Sequence, residues 1–136
     1  MKKYILIFIL LSLLFILGCK EKNQDAILSI DEVSVNLICK QEANTNECTN
    51  QKFKDFQSFQ IFKTALESAV KMSEKIDYAA EYNLSITFQD QTTKDFHLAL
   101  GTNRDMKGLL VDLKNTNQGY EIPIAHANKL RDLIRG

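Results

Sequence analysis

Few side chains in this 136-residue chain are equipped for chemistry: two histidines, three cysteines, and aspartates gathered near expected turns. His97 sits in the middle of "FHLAL", on the side of the strand opposite Phe96, Leu98 and Leu100. His126 stands near the start of the last helical stretch. Acid–base work would require a nucleophile or an orienting carboxylate beside one of them. No spacing in the chain supplies one, so both histidines read as surface residues. Asp90 and Asp95 flank a turn and Asp112 lies in a strand, but the D-x-D-x-D-G pattern of a calcium loop is missing. The three read as solvated. Gly101 and Gly108 bracket a turn without a phosphate-binding glycine pattern. These residues point to no catalytic group, no metal and no cofactor, and the expectation is a non-enzymatic protein.

The cysteines carry more information. Cys39 and Cys48 enclose "KQEANTNE", a polar, turn-forming stretch. A disulfide between them would close a loop of about ten residues, worth about 2–3 kcal/mol in the chain-entropy view. Two free thiols are the alternative. A metal pair fits poorly, because no histidine or third cysteine lies near either in sequence.

Cys19 has a different setting. Lys2 and Lys3 precede a run from Ile5 to Leu17 that is apolar except for Ser12. At about 1.5 Å per residue this run reaches roughly 20 Å, short of the roughly 30 Å of a bilayer core and suited to a signal-peptide core. It ends in Ile16-Leu17-Gly18-Cys19, which resembles the lipobox of bacterial lipoproteins. That resemblance implies a diacylglycerol on the Cys19 sulfur and cleavage before Cys19. Two acyl chains hold a protein on a bilayer where one barely does. An uncleaved anchor helix is the alternative. Both place the rest of the chain outside the cytoplasm, with the lysines inside. The expected organisation is a signal peptide over 1–18, a lipidated tether over 19–26, and one domain over 27–136.

Lysine plus arginine and aspartate plus glutamate number 17 each, so loss of Lys2 and Lys3 leaves two acidic residues in excess. Neither sign clusters. The basic stripe that nucleic-acid binding requires is missing, and the expected membrane contact is the lipid itself.

The elements that must position these residues follow from periodicity. Val33, Val35 and Leu37 alternate with polar neighbours as in a strand. Phe59, Phe62, Leu66, Ala69, Ser73 and Ile76 recur at helical spacing, with Asp55 as the expected N-cap. Phe56 falls off that face and is a candidate for an exposed contact patch. Four further strands are expected, with Tyr82, Leu84, Ile86 and Phe88, then Phe96, Leu98 and Leu100, then Leu109, Val111 and Leu113 on their apolar faces, and "YEIPI" last. A closing helix would turn Ala127, Leu130, Leu133 and Ile134 inward. Short turns make the strands antiparallel. Clean alternation implies one covered sheet face. The expected fold is α+β: a two-layer sandwich of about four or five antiparallel strands with two helices on one face.

The succession "FQSFQIFKTALESAVK", "IDYAAEYNLSITFQD", "FHLALG", "GLLVDLKNT" and "YEIPIAHANKLRDLI" resembles the YhfM-like domain of small lipoproteins. The likeness spans roughly residues 28–134 and marks a divergent member, without the family's usual aromatic near Ala99 or proline before Tyr82. It implies a fold and an address and carries over no catalytic residue.

The expected function is a lipid-anchored, extracytoplasmic binding or interaction module of the cell envelope, with an envelope protein as its partner. The alternative is an inhibitor or immunity protein acting on a secreted enzyme, for which "GTNRDMKG" is the candidate protruding loop.

Overall fold

The computed structural model describes residues 32–40 and 48–136. The signal segment, Cys19 and the tether lie outside the described residues. Seven strands, β1 (Glu32–Cys39), β2 (Gln51–Phe53), β3 (Val70–Lys71), β4 (Tyr82–Phe88), β5 (Thr93–Ala99), β6 (Gly108–Asp112) and β7 (Gly119–Ile122), form one antiparallel sheet. Their order is β2-β1-β4-β5-β6-β7-β3. Among the described residues two helices, α1 (Phe56–Glu67) and α2 (Ile124–Arg135), complete an α+β fold. No helix among the described residues is long and apolar enough to cross a membrane.

The alternation in β4 places Tyr82, Leu84, Ile86 and Phe88 in the core, beside Val35 and Leu37 of β1 and Phe96 and Leu98 of β5. Phe62, Ala65 and Leu66 of α1 and Ala127, Leu130 and Ile134 of α2 pack into the same cluster. Each of these larger side chains contributes about 1.5–3 kcal/mol by leaving water. Asp55 caps α1, its Oδ1 accepting from Ser58 N at 2.8 Å. The helix then carries the chain from β2 at one sheet edge to β3 at the other. α2 returns across the same face, and the Ile134 carbonyl accepts from Gln51 Nε2 at 2.7 Å.

Three expectations are corrected. The sheet has seven strands rather than four or five. The extra two, β2 and β3, contain three and two residues, too few to display a period. They occupy the sheet edges, where short strands limit pairing with other chains. Next, α1 stops at Glu67 instead of continuing through Ser73 and Ile76. Val70 and Lys71 pair instead with Glu121 and Tyr120.

The third correction concerns the far face of the sheet, which is not open. Residues 72–81 leave the β3 edge and cross that face as a strap to reach β4. Met72 N donates to Gly119 O at 2.9 Å, and Glu81 N donates to Leu98 O at 3.0 Å. Between them Ile76 lies so close to Gly119 that an added Cβ would stand 2.8 Å from its Cδ1. The strap also explains β6. Leu110, not Leu109 or Val111, faces the helices, while Val111 is buried on the other side and Leu113 is exposed. A strand covered on both faces reads as a continuous apolar run, and its register is then not visible as alternation.

Candidate functional site

On the strap side, register aligns Ile38, Asn83, His97, Val111 and Gly119 across five strands. His97 is half-buried there. Tyr78 of the strap places its Oη 2.8 Å from His97 Nδ1, with the rings 5.7 Å apart. Lys40, just past β1, places Nζ 3.4 Å from Nε2. A lysine ammonium only donates, so Nε2 accepts, and Nδ1 carries the proton and donates to Tyr78 Oη. Burial first, and the Lys40 charge second, hold the His97 pKa below its ordinary value. Both ring nitrogens are engaged by protein groups. The expectation that His97 is plain surface is therefore corrected. His126 lies half-buried near the start of α2, with its backbone N–H donating to Pro123 O.

Lys40 is held in place by its neighbour. Cys39 and Cys48 form a disulfide with their Cα atoms 5.9 Å apart. Cys39 N donates to Asn50 Oδ1, and Lys40 N donates to Glu81 O. The aspartates singled out in the sequence stay apart. Asp90 accepts from Thr92 N and Oγ1, Asp95 from Ser85 Oγ, and Asp112 from Lys114 N. Each serves its own turn or strand pair. Among the described residues no group of three His, Cys, Asp or Glu is placed to hold a metal.

The densest polar construction lies under the loop from Gly101 to Lys107, all of it exposed. Arg131 of α2 is buried with 2 % exposure. Its Nε donates to Leu100 O and Gly101 O, its Nη1 to Asn128 Oδ1, and its Nη2 to Leu100 O and Met106 O. Desolvation, then the charges of Arg135 and Arg104, lower its pKa. The carbonyls compensate by accepting from the charged group. Glu81 takes the other side, accepting from Leu100 N and Gly101 N at 3.0 Å each. Arg135 bridges Gly101 O and Glu81. Arg104 forms a two-pronged pair with Asp132, at 2.6 and 3.1 Å, and its carbonyl accepts from Asn128 Nδ2. Gly101 has φ +62°, a conformation that suits glycine. The loop is thus exposed outside and fixed from beneath, which lowers the ordering cost of binding.

Sequence reasoning had missed Arg131, Tyr78 and Glu81. Arg131 was detectable, since it falls at helical spacing among Ala127, Leu130 and Ile134. Tyr78 and Glu81 carried no local signal.

The two ends of the sheet differ. Glu32, where the described chain enters β1, pairs with Phe88, whereas Cys39 pairs with Tyr82 at the other end. The fixed loop follows Ala99, at the Tyr82 end. A strand of eight residues makes these ends roughly 25 Å apart.

A family model described as YhfM protein matches residues 20–136. Neither a curated protein nor a solved structure matches the chain.

Proposed function

The chain belongs to the YhfM family, and from that premise we propose that it is a lipid-anchored, extracytoplasmic interaction module of the cell envelope, not an enzyme. In this reading residues 1–18 are a signal peptide that is removed. Cys19 becomes the diacylated N-terminus at the outer face of the cell membrane. Residues 19–26 tether the domain that follows. Support for the address is the short apolar run ending in Ile16-Leu17-Gly18-Cys19.

The observation that carries the reading is the placement of the fixed loop. It sits at the sheet end opposite the entry of the chain from Cys19. A buried arginine, a glutamate and three further α2 residues hold it in one conformation. Such a loop, presented away from the membrane, is suited to meeting an envelope protein. His97, held between Tyr78 and Lys40, is accounted for by its part in tying the strap to the sheet.

The same loop favours a second reading, an inhibitor or immunity protein acting on a secreted enzyme. Rigid presentation is what both require. The test is a photo-crosslinking residue placed in intact cells at Met106, and separately at Thr116 in the β6–β7 turn. The expected result is one protein captured from position 106 and not from 116. Equal capture from both positions, or none from 106, would count against the loop. If the captured protein is a secreted enzyme silenced by stoichiometric purified protein, the second reading takes precedence.

A further inference from the structure

Phe56 is the most exposed large apolar side chain among the described residues, at 77 %. Its position is set by two facts. β2 runs antiparallel to β1, with Phe53 opposite Val35 in mid-strand, so the chain leaves β2 heading toward the end where β1 begins. Asp55 caps the helix that Phe56 opens, so the ring is carried on an ordered first turn. The strand direction therefore carries Phe56 toward the sheet end from which the chain leads back to Cys19. Lys54 is exposed beside it, and the Asp55 carboxylate is turned into the helix cap.

We propose that Phe56 rests in the headgroup boundary of the bilayer that anchors the chain, so that the domain stands with this end down and the Gly101–Lys107 loop outward. The inference rests on the lipid-anchor reading above. The length of chain outside the structure supports it: residues 20–31 join Cys19 to the start of β1 and span no more than about 40 Å even fully extended, so this is the end that the anchor draws toward the surface. A tether of that length keeps the local concentration of membrane high, and a weak contact then suffices to set orientation. An aromatic ring seats well at the boundary of headgroups and acyl chains. A neighbouring lysine is drawn to anionic lipid. A protein partner fits less well, because one ring offers about 150–250 Å² against the roughly 800 Å² that each side of a stable interface buries.

The experiment uses the mature lipidated protein, from Cys19 to Gly136, in vesicles of phosphatidylglycerol and phosphatidylethanolamine. Phe56→Cys, or Met106→Cys at the opposite end, receives an environment-sensitive fluorophore. Cys39 and Cys48 are bonded to each other and the lipid blocks Cys19, so the introduced thiol reacts alone. The expected result is blue-shifted emission at 56 and quenching by nitroxide-bearing lipid severalfold stronger than at 106. If the intact mass shows the diacylglycerol and position 56 is as water-exposed as 106, the inference is overturned and the anchor stands. Shielding at 56 that rises with protein density, without lipid quenching, assigns the ring to a second copy and also overturns it. An intact mass lacking the diacylglycerol removes the anchor reading, and this inference with it.

Discussion

Tyr78 and His97 meet across the sheet face at 2.8 Å, although 19 residues separate them. The contact ties the strap to β5 and leaves His97 neutral between a phenol and an ammonium. Its pKa is lower in the folded chain than the ordinary 6.5. Above about pH 6.5 the histidine is neutral in both states and costs nothing. As pH falls below 6.5 the unfolded chain takes up the proton first, so stability is lost through that window. His97→Gln should flatten this part of the stability profile, measured by urea unfolding at a series of pH values from 7.5 to 5.

The disulfide bears on the same cluster, because Cys39 adjoins Lys40. Reducing it should lower the melting temperature by roughly 10 °C or more, from about 2–3 kcal/mol at about 4–8 °C per kcal/mol. It should also raise the His97 pKa, as Lys40 loses its fixed position. NMR titration of the His97 ring, with and without reductant, reads the second effect, and thermal unfolding of the same two samples reads the first.

Arg131→Met keeps an unbranched stem out to about the position of Nε and removes every hydrogen bond from the guanidinium to the loop. The buried carbonyl of Leu100 and the part-buried carbonyl of Met106 lose their partner, at about 1–3 kcal/mol for a buried group left unsatisfied. The expected loss is about 2–4 kcal/mol in urea unfolding, with faster hydrogen exchange between Gly101 and Lys107. Arg104→Ala, which breaks an exposed pair with Asp132, should change stability far less, because solvent screens such a pair. An Arg131→Met protein with wild-type exchange in the loop would show that the loop is fixed by other means.

Two phenylalanines of one helix should behave oppositely. Phe62 is 1 % exposed and touches Phe53, with ring centroids 5.2 Å apart. Phe62→Ala should cost about 3–5 kcal/mol by opening a cavity. Phe56→Ala should change stability by under about 0.5 kcal/mol, as exposed sites do. Urea unfolding of both variants checks the contrast.

What the sequence disclosed, and what it withheld, follows one physical line. Tyr82 to Phe88 and Phe96 to Leu100 alternate because one face is packed and the other is partly wet. The Asp55 cap, the closing helix and the Cys39–Cys48 bond are also local features, encoded within a dozen residues. The strap is not. Ala69, Ser73 and Ile76 look like a helical continuation of α1, and only the path from β3 to β4 lays Ile76 against Gly119 and Tyr78 against His97. The Leu109–Val111 register was hidden by that same cover. The place of Arg131 on the buried stripe of the closing helix was legible, but its carbonyl partners lie at Leu100, Gly101 and Met106, which no helical pattern reveals. The Phe56 exposure, by contrast, was visible as a departure from the apolar stripe.

The lipid on Cys19 is the premise of the whole functional reading, and one measurement addresses it directly. Cells expressing the wild-type chain or Cys19→Ala are fed labelled fatty acid, and the mature N-terminal peptide is identified by mass spectrometry. The expected result is label in the wild type alone, and a peptide that begins at Cys19 and carries a diacylglycerol. Equal labelling of both forms, or a wild-type N-terminus at Met1 with an unmodified Cys19, would contradict it.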